Sequence, residues 1–146
     1  RGKYSDPFSR LRARTAAADD ERMPKSGRRD AGSLIERVRA IAMELPGVTE
    51  KLSHGAPAFF VRGRMFFAVA DDHHGSGFVA VWCNAPGGAQ ETLVAAEPRH
   101  FFRPPYVGVK GWLGVRLDSG LDWKVIADLL RQAHAVTGVR KKGALI

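Results

Sequence analysis

The stretch Ala58-Phe59-Phe60-Val61-Arg62-Gly63-Arg64-Met65-Phe66-Phe67-Ala68-Val69-Ala70 decides the fold class. Two runs rich in aromatic and β-branched residues, 58–62 and 64–70, meet at one glycine. Such runs suit a pleated, half-buried surface, and a glycine between them marks a tight hairpin. Phe59 and Val61 alternate with Phe60 and Arg62, and Met65, Phe67 and Val69 alternate with Phe66 and Ala68. A period of two sends each set to its own face of a sheet.

The pattern extends in both directions. Upstream, Val48 to Ser53 reads as a short first strand. Before it, Leu34, Ile35, Val38, Ile41, Ala42 and Leu45 recur at helical spacing, with Ser33 and Glu36 as a capping box and Pro46-Gly47 as a stop. Downstream, Asp71 to Gly77 is a turn by composition, and Phe78 to Cys83 is the next strand of an antiparallel meander. A helix over Ala89 to Ala96 and a short strand at Phe101 to Arg103 follow. Pro104-Pro105-Tyr106 forces an extended turn, and Trp112 to Leu117 is a further strand. Asp122 caps a last helix with Trp123, Ile126, Leu130, Ala133 and Val136 or Thr137 inward, and Gly138 is its expected left-handed stop. The fold class is α+β: an antiparallel β-sheet with helices packed on it.

The 146 residues suit one domain large enough to bury a core without staples. No apolar run approaches the ~18 residues needed to span a bilayer. Residues 1–31 carry charge throughout and no apolar leader region, so the expected location is the cytoplasm. Met23 is a plausible natural start. Cys83 is the one cysteine, which excludes an intramolecular disulfide and a thiolate zinc site, and it reads as a small buried hydrophobe.

The net charge of +8 points to a polyanionic partner, but the charge is unevenly placed. Nine of the 23 basic residues lie in 1–31, and Arg140, Lys141 and Lys142 add three more. Residues 1–31 and 140–146 therefore read as basic tails, the first too polar to repay the entropy of ordering. The body, 32–139, is close to neutral.

Several segments together resemble the MmcQ/YjbR family of small bacterial proteins. They are Glu44-Leu45-Pro46-Gly47-Val48-Thr49-Glu50, the pair of strands holding Phe59, Met65 and Phe67, Lys110-Gly111-Trp112-Leu113-Gly114-Val115-Arg116-Leu117, and the terminal helix from Asp122. His54-Gly55-Ala56-Pro57-Ala58-Phe59 and Phe102-Arg103-Pro104-Pro105-Tyr106-Val107-Gly108 bring it nearest an actinobacterial-looking branch. The resemblance covers about residues 32–138. It implies a CyaY-like fold and binding of DNA by a double-wing arrangement of strands and hairpins. Some relatives carry a formyltransferase label, but no glycine-loop cofactor unit and no Asn/His/Asp catalytic arrangement is legible here.

The candidate DNA contacts are Arg62 and Arg64 at the hairpin tip, and Arg99, Arg103 and Lys110 around the Pro104-Pro105 turn. Guanidinium groups on a projecting hairpin can grip phosphates, and basic residues interleaved with aromatics suit nucleic acid. The expected partner is DNA, bound weakly and in a salt-sensitive way by a monomer without catalytic activity or cofactor. The alternative is a small-molecule or protein-interaction module with a cleft at His54, Tyr106 and Trp112. Asp71, Asp72, His73 and His74 have the composition of a metal site but read as a soluble loop. Gly108, Gly111 and Gly114 read as turn or bulge positions.

Overall fold

The computed structural model describes residues 4–13 and 31–139. Its helices are α1 (Ala31–Met43), α2 (Ala89–Ala96) and α3 (Trp123–Gly138), with a helical turn at residues 9–13. Its strands are β1 (Val48–Ser53), β2 (Ala56–Val61), β3 (Arg64–Asp71), β4 (Val79–Cys83), β5 (Phe101–Phe102) and β6 (Leu113–Arg116). They form one antiparallel sheet in the order β1-β2-β3-β4-β6-β5. The α+β class and the meander are as the alternation predicts. Among the described residues no helix is long and apolar enough to cross a membrane.

The hairpin turns on Arg62 and Gly63, both left-handed at φ 53° and 76°. Two such residues give the reversal whose twist matches the flanking strands. One detail departs from simple alternation. Phe59 pairs with Phe67 but Phe60 pairs with Met65, so Phe66 is the extra residue of a bulge. The bulge lets neighbouring phenylalanines both reach the interior. Phe67 stacks on Phe59 at 4.5 Å between centroids, and Phe66 meets Phe67 edge-on at 5.2 Å and the His134 ring of α3 at 5.3 Å. All three phenylalanines are fully buried.

The core lies between the helices and one face of the sheet, formed by Phe59, Val61, Phe67, Val69, Val79, Val81, Cys83, Leu113 and Val115. From α3 it takes Val125, Ile126, Leu129, Leu130 and Ala133. The Asp122 carboxylate accepts the Lys124 N–H at 2.9 Å and caps that helix. One open choice for the helices is decided and two expectations change. Val136 is exposed while Thr137 is buried, accepting from Asn84 Nδ2 at 2.7 Å. Gly138 ends α3 without a left-handed turn, since the chain passes directly into extended Val139. Ser33 stands two residues inside α1, which opens at Ala31. Cys83 is buried as expected, and that burial pushes its thiol up to about 12, so it stays protonated.

Residues 4–13 are part of the folded body rather than of a loose tail. Phe8 is 3% exposed within the core, with Tyr4 and Leu11 packed beside it. Arg12 is buried against Asp6 and reaches Glu97 at 3.5 Å. The segment's few apolar residues suffice because they complete an existing core and need not build their own. Residues 1–3, 14–30 and 140–146, which also belong to the expected tails, lie outside the described residues.

Arg39 of α1 clamps Glu50 of β1 with two hydrogen bonds of 2.8 Å. This hydrogen bonding holds the Glu50 carboxyl below its ordinary range, against the opposing effect of partial burial. A depressed folded pKa gives stability that is full above the ordinary carboxylate value and lost as pH falls through the folded one. Glu50→Gln is therefore expected to cost about 0.5–1 kcal/mol at neutral pH. The variant and the wild type should converge along the acid limb of a melting-temperature profile, and a constant offset at every pH would contradict this.

Candidate nucleic-acid interface and ligand cleft

The register places the basic candidates. The β2–β3 turn lies beyond Val61 and Arg64, whereas β4 ends at Cys83, opposite Phe67. The hairpin thus reaches about 10 Å past the end of β4. Leu113 of β6 also pairs with Cys83, and Phe102 of β5 pairs with Gly114. The connection 103–112 therefore leaves and re-enters the sheet at the same end as the hairpin. The two projections stand on either side of the end of β4, their roots two strands or about 10 Å apart.

Arg62 and Arg64 are exposed on the first projection, and Arg103 and Lys110 on the second. Among the described residues none of these four lies within salt-bridge distance of a carboxylate, whereas Arg12, Arg39, Arg116 and Arg131 all do. Arg99 is not part of this group. Phe101 pairs with Val115, and the Arg116 N–H donates to the His100 carbonyl, which sets Arg99 at the opposite end of the sheet. His100, its neighbour, is fully buried with its Nδ1 hydrogen-bonded to the Ser119 hydroxyl.

The second projection is pinned from below. Gln90 of α2 is buried and donates from Nε2 to the carbonyls of Gly108, at 2.9 Å, and of Trp112. Two of the three spaced glycines admit side chains rather than turns. A Cβ on Gly108 would come within 2.7 Å of Arg103 Cγ, and one on Gly114 within 2.4 Å of the Phe102 ring. Gly111, at φ 87°, is a true turn.

The sheet face away from the core carries small residues, with Ala58, Ala68, Trp82, Gly114 and Phe102 in one cross-strand row and Ala70, Ala80 and Arg116 in the next. Two loops fold across it. His73, in the short 3-10 turn His73–Gly75, sets its ring 4.7 Å from Trp82 and 6.4 Å from Tyr106. Phe78 meets Phe102 at 5.4 Å. Between them lies an apolar cleft of about 250 Å³, lined by Ala70, His73, Phe78, Trp82, Phe102 and Pro105 among others. The loop at Asp71–His74, expected to be a soluble turn, thus supplies a wall. Among the described residues no group of three or more potential ligands could hold a metal.

His54 and Tyr106 both approach this region. His54 lines an adjoining cleft of about 370 Å³ that shares Ala70 and His73 with the first. Tyr106 is 72% exposed, and at φ 65° and ψ −66° it is the centre of a strained γ-turn closed by the Val107 N–H to the Pro105 carbonyl at 2.6 Å. Trp112 lines neither cleft, and Trp82 takes the place expected for it. Alternation along β4 carries the signal: with Val81 and Cys83 inward, Trp82 must face the other way. His73 Nε2 is buried without a hydrogen-bond partner. Desolvation first, and the neighbouring His74 second, lower its pKa, so the ring is neutral at physiological pH.

The family model YjbR matches residues 43–136, which include all the candidates above. The chain belongs to the YjbR family. A solved structure with a related architecture is the Deinococcus radiodurans protein DR2400, described with the domain DUF419. It is 23% identical, with a TM-score of 0.62, over 75% of this chain and 80% of that one. At that identity the likeness concerns the fold of this YjbR-family chain. No curated protein matches it.

Proposed function

We propose that this protein binds DNA without acting on it chemically. The observation that supports the reading is the set of four cations unpaired among the described residues, Arg62, Arg64, Arg103 and Lys110, on two projections flanking the end of β4. Paired arginines are already neutralised by the fold, whereas unpaired ones at a projecting tip are free to replace counterions on phosphates. Two basic projections from one sheet end also fit the double-wing mode expected from the family resemblance. Arg99 has no part in it. Phosphate contacts of this kind carry little sequence information, so the expected binding is weak and strongly salt-dependent.

Titration of a labelled duplex at a series of salt concentrations tests the reading. Each phosphate contact contributes about −0.9 to the slope of log K against log salt, so four predict a slope near −3.6. A slope near zero, or no binding at low salt, would sink it.

A further inference from the structure

Resting on that reading, we propose that the apolar cleft on the far face of the sheet seats one unpaired nucleobase, so that the nucleic acid held by this protein is single-stranded at the point of contact. Four features of the cleft converge on this occupant. Its walls are mainly flat aromatic rings, Trp82, Phe78 and Phe102, with the pyrrolidine of Pro105 beside them, over a floor at Ala70. Flat walls favour a planar guest, and base stacking on aromatic side chains tolerates every base. Its size, about 250 Å³, admits one ring system but falls short of the ~300 Å³ at which pockets for larger ligands begin.

The third feature is a buried polar atom with no hydrogen-bond partner among the described residues, His73 Nε2, in a residue that lines the cleft. An apolar guest would leave that nitrogen unsatisfied, whereas a base edge offers both donors and acceptors. The fourth is charge. The connection that supplies Pro105 and Tyr106 also carries Arg103 and Lys110, cations unpaired among the described residues. A guest drawn here therefore joins a planar ring to an anionic backbone, the chemistry of a nucleotide strand. Paired bases in a duplex have their faces stacked and their edges engaged, so only an unpaired base can enter. Tyr106 stands beside the cleft, its ring 6.5 Å from Trp82 and mostly in solvent, held by the strained turn at its own backbone. That placement suits it to cover a neighbouring base.

The test uses the full chain with a labelled oligothymidylate and a duplex of equal length, both followed by anisotropy at low salt. The single strand is expected to bind at least about tenfold more tightly than the duplex. Tyr106→Ala and Trp82→Leu should each weaken single-strand binding about tenfold while leaving duplex binding unchanged. Tyr106 is exposed, so its variant should fold normally, as a thermal melt checks. Equal affinity for the two forms, or a single-strand preference untouched by both variants, would overturn the base seat and leave the phosphate reading standing. Absence of binding to either form would overturn both. An oligouridylate that binds as the oligothymidylate does supports the seat, since it shows that the ring and not the sugar is recognised.

Discussion

Replacing Arg62, Arg64, Arg103 and Lys110 together with alanine is expected to abolish most of the salt dependence of DNA binding. At about −0.9 per contact, four lost contacts flatten the log–log slope by about 3.6, so between roughly 50 and 200 mM salt the wild type should lose about a hundredfold more affinity than the variant. All four side chains are exposed, and none is paired with a carboxylate among the described residues, so the fold should tolerate their removal. The control is a second variant with Arg140, Lys141 and Lys142 changed to alanine. These three hold much of the basic excess without belonging to the described body. If the slope belongs to them and not to the four body residues, the protein attracts DNA through its ends, and the two-projection interface is wrong. Arg99→Ala serves as an internal standard. It stands at the other end of the sheet and is expected to leave binding unchanged.

Phe67→Ala is expected to lower the free energy of unfolding by about 3–5 kcal/mol. Phe67 is fully buried, stacks on Phe59 and meets Phe66 edge-on, so truncation removes apolar contact and leaves a cavity in the middle strand of the sheet. For a domain with roughly 5–15 kcal/mol in total, that loss is close to the threshold of folding. Denaturant titration reads it as a lower midpoint with an unchanged slope. A cost below about 1 kcal/mol would mean that the bulge at Phe66 relaxes to fill the space, and the account of the core given above would need revision. Phe67 also shares its strand with Ala68 and Ala70 on the far face. The same variant is therefore expected to loosen the cleft, which a change in Trp82 fluorescence would report.

Most of the fold is legible in the chain because its signals are local. Alternation through 58–70 and 79–83, the helical stripe through Val38 and Ala42, and the Asp122 cap each depend on residues within one or two turns of one another. The departures arise where a contact distant in sequence decides. The bulge at Phe66 coincides with a contact to α3, whose His134 meets the ring. Residues 4–13 order because Phe8 joins a core made by residues distant in the chain, from Ala31 to Ala133. Gly108 and Gly114 look like turn residues until Arg103 and Phe102 are seen lying over them.

The candidate site divides the same way. Residue type and turn composition were enough to single out Arg62, Arg64, Arg103 and Lys110 as exposed cations at loops. Nothing in the chain tells which of them share an end of the sheet. That depends on β6 inserting between β4 and β5, a pairing fixed by packing across the whole sheet. The same pairing removes Arg99 from the group and brings His73, Trp82, Phe78 and Phe102 into one cleft from three separate segments. By itself, then, the sequence determined an antiparallel α+β domain with a basic hairpin tip, because periodicity and turn chemistry act over a few residues. Only the tertiary structure decided which charges act together and that Trp82, not Trp112, faces the ligand side, because strand order and register are set by contacts between residues far apart in the chain.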